Sequence, residues 1–148
     1  MNPAGAVLGV AVVLGAVAAP LAVVQWAARE RAPFGEGAFA AVEQAVGTAG
    51  LQVCDVVDTS GGGAGGRTTG RAYEVAEACP ADPATVVVDR YATAADRDGA
   101  ARQFESLVRP RGSGVVLTLA DATVLLQGSG DGDVRQRLGA ALRSEGAR

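Results

Sequence analysis

The stretch SGGGAGGRTTGRAYEVAEACP, residues 60–80, decides between two folds for this chain. From Gly61 to Thr68 it spells G-x-x-x-x-G-R-T, one residue away from the Walker phosphate loop. A phosphate loop runs straight into a helix whose N-terminus holds the phosphates, and such a helix belongs to a parallel α/β sheet. If a strand follows the glycines instead, they form the tip of a hairpin in an antiparallel sheet.

The residues after the glycines favour the strand. Only nine residues separate Gly70 from Pro80, whereas a crossover helix with its connections needs about a dozen. Arg67 also stands where the motif needs Lys, and a planar guanidinium does not replace a slender ammonium between phosphates. The apolar segment Thr85–Asp89 ends in an acid, as magnesium-holding strands do, so phosphate-loop nucleotide binding stays as an alternative. The predicted flexible hairpin tip contains Gly61, Gly62, Gly63, Gly65 and Gly66.

Hydrophobic periodicity predicts the elements of the remaining soluble part. Apolar residues recur at helical spacing in three segments, which begin near Phe39, Thr93 and Val134. The predicted strands are 51–58, 71–79, 85–89, 115–119 and 123–127. The order α-β-β-β-α-β-β-α predicts an α+β domain of two layers, in which helices cover one face of a mainly antiparallel sheet of about five strands.

The N-terminal segment carries no charged side chain from Met1 to Ala28. About 20 apolar residues rising 1.5 Å each cross a hydrocarbon core of about 30 Å. We therefore predict an N-terminal tail (1–3), a single transmembrane helix (4–28) in contact with membrane lipid, a juxtamembrane linker (29–35) and a small α+β domain (36–148). A cleaved signal peptide is the alternative, but the chain lacks the basic residues that open such peptides.

Two signals disagree on the orientation in the membrane. Arg29 and Arg31 follow the predicted helix and favour a cytoplasmic domain by the positive-inside rule. Cys54 and Cys79 predict a disulfide, which persists only in an oxidising compartment. Because two arginines are a modest bias, we predict a cell-membrane protein with an extracytoplasmic domain, where an envelope or membrane protein is the expected partner. The cytoplasmic-facing orientation is the alternative.

The amino-acid composition excludes several classes of function. The chain has no His, which removes Ser-His-Asp and Cys-His catalysis and the commonest metal ligand. Its net charge of -3 argues against a nucleic-acid partner. We predict a non-catalytic binding or assembly domain without cofactor or metal. The alternative is a small-anion module at the basic loop of Arg109, Arg111 and Ser113, because arginines and free backbone amides bind anions.

Overall fold

The computed structural model describes residues 37–59, 64–80, 82–128 and 132–148, which all belong to one compact unit, Phe34–Arg148. The predicted transmembrane helix and linker lie outside these residues. Within the described residues, no helix is both long enough and apolar enough to span a membrane.

The described elements follow the predicted order. In chain order they are α1 (Ala38–Thr48), β1 (Gln52–Asp58), a 3-10 turn (Ala64–Gly66), β2 (Arg67–Ala76), β3 (Ala84–Tyr91), α2 (Ala94–Val108), a second 3-10 turn (Arg109–Arg111), β4 (Gly114–Leu119), β5 (Ala122–Gln127) and α3 (Gly132–Ser144). The α+β class is therefore confirmed.

The five strands form one sheet in the order β1-β2-β3-β5-β4, and every neighbouring pair is antiparallel. Strand β2 begins at Arg67, directly after the 3-10 turn that ends the glycine segment. The glycines therefore connect two antiparallel neighbours, β1 and β2, and lead into a strand. This is the hairpin interpretation rather than the phosphate-loop geometry, which requires a helix at that point.

The helices cover both faces of the sheet, so the prediction that they lie on one face was wrong. On β3, Val86 and Val88 are completely buried in the core that α1 and α3 close. Successive side chains of a strand point to opposite faces. Tyr91 accordingly belongs to the other face of β3, where it shares a groove with Phe104 of α2. Periodicity shows which side of a helix is apolar, but it does not show which face of the sheet that side covers.

Helix α2 covers its face of the sheet incompletely. Its first turn is capped as the sequence indicates, because the Thr93 hydroxyl accepts a hydrogen bond of 3.1 Å from the Asp96 amide. Only Ala101 and Val108 are buried along its 15 residues. Part of the sheet beneath α2 is therefore left accessible, and the groove described below occupies that space.

Strand β1 is an exposed edge strand tied to the domain by a disulfide. Cys54 and Cys79 are bridged, as predicted, with their Cα atoms 5.5 Å apart. The register with β2 shifts between Val53 and Asp55, so that Cys54 lies at a bulge. Val53 and Val57 are 38% and 53% exposed. Because these valines are little buried, β1 is held by its antiparallel pairing with β2 and by the disulfide.

We expect the double substitution Cys54→Ala, Cys79→Ala to lower the free energy of unfolding by about 3 kcal/mol. The physical reason is that the bridge joins residues 25 positions apart and thereby restricts the unfolded chain. Urea unfolding of the full-length protein in detergent measures the change, and reduced wild type is the control that should match the variant. A loss well below about 1 kcal/mol would contradict the expectation.

Candidate functional site

One groove, here named the main groove, lies between α2 and the end of β3 and has a volume of about 410 Å³. Its floor is formed by Arg67, Asp89 and Tyr91, and its α2 wall includes Gln103 and Phe104. Four small residues also line it, and these leave it wide: Gly65, Ala95, Gly99 and Ala100. The groove therefore combines a polar floor with a largely apolar wall.

The floor is built on a buried ion pair. Asp89 is 5% exposed, and its Oδ1 lies 3.1 Å from Nε of Arg67. That oxygen has no well-aligned hydrogen bond from any described residue, so Arg67 attracts it by charge rather than through a directed hydrogen bond. Burial raises the pKa of Asp89, and the positive charge of Arg67 opposes the rise.

The ion pair also closes the base of the glycine hairpin. Nη2 of Arg67 donates a hydrogen bond to the backbone oxygen of Thr59, at the end of β1. The Thr59 amide in turn donates to the oxygen of Gly70, at 3.0 Å. Asp89 thus connects the central strand, through Arg67, to both strands that flank the glycines.

Gly70 is the residue that lets these groups approach one another. A Cβ on Gly70 would lie 2.5 Å from Asp89 Oδ1, 2.5 Å from Thr59 Oγ1 and 3.0 Å from Arg67 Nη2. Real Cβ atoms essentially never come within 3.0 Å of such atoms. Any larger residue at this position would push the ion pair or the threonine away.

Tyr91 completes the floor as a neutral hydrogen-bonding group. It is 6% exposed, and burial raises its pKa, while a hydrogen bond with Thr123 acts in the opposite direction. The negative charge of Asp89 raises the pKa further. Tyr91 therefore keeps its proton at neutral pH and stabilises the floor without adding charge.

The described end of the glycine segment forms one end of the groove. Gly65 lines it, and both Gly65 and Gly66 have positive φ, 67° and 78°. The oxygen of Gly66 accepts a hydrogen bond of 3.0 Å from the Ala92 amide, and a Cβ on Gly66 would meet Asp96 Oδ2 at 2.5 Å. The segment is thereby fixed against the start of α2. The predicted tip residues 61–63 lie outside the described residues.

The predicted anion-binding residues lie elsewhere. Arg109, Arg111 and Ser113 are exposed in the connection between α2 and β4, and Nη1 of Arg111 donates to the Leu107 oxygen at 3.4 Å. The neighbouring groove, which Gly112 helps to line, takes its arginines from α3 rather than from this loop.

In the part of the chain that the structure describes, the carboxylates do not gather into a metal site. Among the described residues, no group of three or more His, Cys, Asp or Glu side chains could hold a metal ion. Asp58 instead pairs with Arg71, at 3.4 Å. Asp89, the acidic residue of β3, likewise forms an ion pair, in this case with Arg67.

The sequence points to individual members of the main groove but not to the groove itself. Asp89 ends an apolar segment, as a magnesium ligand does, and Arg67 stands at the lysine position of the Walker motif. Tyr91 and Gln103 carried no signal, because they join the groove only when α2 folds over β3. Gly70 gave no hint either, because the predicted strand begins at residue 71 and only the structure places this glycine inside β2, where a glycine marks a close approach of other groups.

The comparisons with known proteins add no family: no family model, curated protein or solved structure matches this chain. The chemistry of the groove is therefore argued from its residues. The carboxylates of Asp89 and Asp96 accept hydrogen bonds, the Gln103 amide donates and accepts, and Phe104 provides an apolar contact surface. This arrangement suits recognition of a ligand that is partly polar and partly apolar.

We expect Gly70→Ala to lower the free energy of unfolding by about 1–3 kcal/mol, because its Cβ would overlap the Arg67–Asp89 pair. The matched control is Gly99→Ala in α2, where a Cβ would meet nothing within 4 Å. That change should be neutral or stabilise by up to about 1 kcal/mol. Urea unfolding of the two variants beside wild type makes the comparison. Equal effects of both substitutions would contradict the packing argument.

A pH dependence of stability follows from the raised pKa of Asp89. Above the ordinary pKa of 3.8, the folded state holds a proton on Asp89 that the unfolded chain has lost, so the free energy of unfolding should fall as pH rises from there to the folded pKa. Asp89→Asn cannot titrate and should lack this component. Unfolding of both proteins at several pH values between about 4 and 7 measures the difference. Parallel curves for the two proteins would be inconsistent with a raised pKa at this residue.

Proposed function

We propose that this protein is a single-pass membrane protein whose small domain lies outside the cytoplasm and binds a ligand or partner in the groove between α2 and β3. The observation that carries the binding role is the groove itself, with its buried Arg67–Asp89 floor. A concave site with a few convergent polar groups is the usual form of a ligand site.

The polar groups of the groove favour binding over catalysis. A general acid or base must reach the proton that it transfers, and Asp89 is almost completely buried beside Arg67. Tyr91 is likewise buried, with a raised pKa that keeps it protonated. A ligand can touch the α2 wall directly, and of the floor it reaches Arg67, whose side chain is 22% exposed.

Charge indicates the kind of ligand that would fit. The described polar lining contributes one positive charge, from Arg67, and two negative charges, from Asp89 and Asp96. Since Arg67 is already paired, the charge offered to a ligand is negative. The groove therefore suits hydrogen-bond donors or a cationic group attached to an apolar part that can contact Phe104.

Two features support the location. The Cys54–Cys79 disulfide is typical of an oxidising compartment, since thiols in the cytoplasm are kept reduced. The uncharged segment 4–28 has the length and composition of a membrane anchor. Together they favour a domain displayed on the outer side of the membrane over the alternative that faces the cytoplasm.

Cysteine labelling in intact cells tests the location. A membrane-impermeant maleimide should label Cys54 and Cys79 only after treatment with an impermeant reductant, and protease added to spheroplasts should cleave the domain. The reason is that both sulfurs are bridged and exposed on the same side as the reagents. Thiols that only a membrane-permeant maleimide labels, without reduction and in a domain protected from protease, would overturn the extracytoplasmic assignment.

Photo-crosslinking in the same cells tests the binding role. A photoreactive benzoylphenylalanine at position 103 lines the groove, whereas the matched control at position 105 lies on an exposed part of α2 that does not line it. A discrete adduct from position 103 that is missing from position 105 is the expected result. Equal adducts from both positions, or none from position 103, would count against the groove as the binding site.

A further inference from the structure

A second groove lies between α3 and the start of β4 and has a volume of about 370 Å³. Arg135, Gln136 and Arg143 of α3 line one side. Val115 and the backbone of Gly112 and Gly114 contribute to the other side. Two arginines thus face a concavity on a protein whose net charge is -3.

Neither arginine of this groove forms an ion pair with a described carboxylate, and the same holds for the exposed Arg102, Arg109 and Arg111. Each of five other arginines forms an ion pair: Arg67, Arg71, Arg90, Arg97 and Arg137. Arg137 shows the contrast on the same helix, because it contacts both Asp133 and Glu77. Arg135 and Arg143 pair with no carboxylate among the described residues. Their charge is therefore available to a ligand.

The side chain of Arg143 extends over the floor of this groove. Its Nη1 lies 3.6 Å from the position that a Cβ on Gly139 would take. Arg135 lies one turn before Gly139 on the same face of α3 and lines the same groove. Gly139 therefore lies between the two arginines along the groove, with the Arg143 guanidinium beside it.

Gly139 itself indicates a use for that space. Glycine in the middle of a helix lowers its stability relative to alanine. A Cβ at this position would make only ordinary contacts, at 3.6 Å with Arg143 and 3.8 Å with Leu126. Packing therefore does not require glycine here. Its effect is to leave the floor open beneath the Arg143 guanidinium.

We propose that this second groove binds a phosphoryl group between Arg135 and Arg143, above Gly139. The planar guanidinium presents paired donors that match phosphate oxygens, and the Gln136 amide adds a neutral donor. The phosphoryl group belongs either to a lipid headgroup or to a soluble phosphate compound, since the recognition chemistry is the same for both. This site is separate from the groove of the proposed function and does not depend on it.

The first experiment uses the full-length protein in a non-ionic detergent, with inorganic phosphate as the probe and sodium chloride at equal ionic strength as the reference. Phosphate should raise the melting temperature of wild type. Arg143→Gln should weaken the apparent affinity about tenfold, the expected loss for one charged contact. The matched control is Arg102→Gln, which removes an exposed arginine of α2 that lies outside this groove and has no ion pair among the described residues. This variant should bind phosphate as wild type does. Equal responses of Arg143→Gln and Arg102→Gln would overturn the proposal.

Gly139→Ala separates folding from binding. The variant should melt about 4 °C higher than wild type without ligand, because alanine favours the helix. It should also bind phosphate more weakly, because the methyl group occupies the floor. A variant that gains stability and keeps the affinity of wild type would overturn the role of the open floor.

Nanodiscs distinguish the two sources of the phosphoryl group. Hydrogen exchange of α3 is measured on the full chain in phosphatidylcholine discs with and without phosphatidylglycerol. Protection that requires phosphatidylglycerol and is lost in Arg143→Gln assigns the site to a lipid headgroup. Protection that follows added phosphate in both kinds of disc assigns it to a soluble compound. Protection under neither condition would refute the site.

Discussion

Strand β3 is the constraint on which the rest of the domain depends, because it is paired on both sides and covered on both faces. Its neighbours are β2 and β5, both antiparallel to it. Val86 and Val88 point into the main core, whereas Asp89 and Tyr91 are buried on the opposite face. One short strand thus supplies the centre of the core and the floor of the main groove.

The floor of the main groove holds the carboxylate of Asp89 in a buried position, where its charged form is unfavourable. An ionised carboxylate loses hydration when buried, and an attached arginine compensates only in part. The raised pKa of Asp89 reflects this balance. Gly70 makes the arrangement sterically possible, since its missing Cβ leaves room for both partners. The same ion pair restrains the glycine hairpin through the Thr59 oxygen and forms part of the floor of the main groove.

The two grooves offer opposite electrostatic environments on one small domain. In the main groove Arg67 is paired with Asp89, and the remaining charge is the carboxylate of Asp96. In the second groove Arg135 and Arg143 lack a counterion among the described residues. A domain proposed to act beside a membrane could thus bind a partner at one site and a phosphoryl group at the other.

The sequence by itself determined the order of elements and the antiparallel class, because periodicity and turn residues are local properties of the chain. It also determined the pairing of Cys54 with Cys79, because the chain has only these two cysteines. It also showed that too few residues follow Gly70 for a crossover helix. Only the tertiary structure decided that α2 crosses to the face opposite α1 and α3. The reason is that the central strands are buried on both faces of the sheet. The apolar side of a helix can therefore pack against either face equally well. Both grooves follow from that choice and from the packing of α3, so their residues, distant in sequence, could not be grouped beforehand.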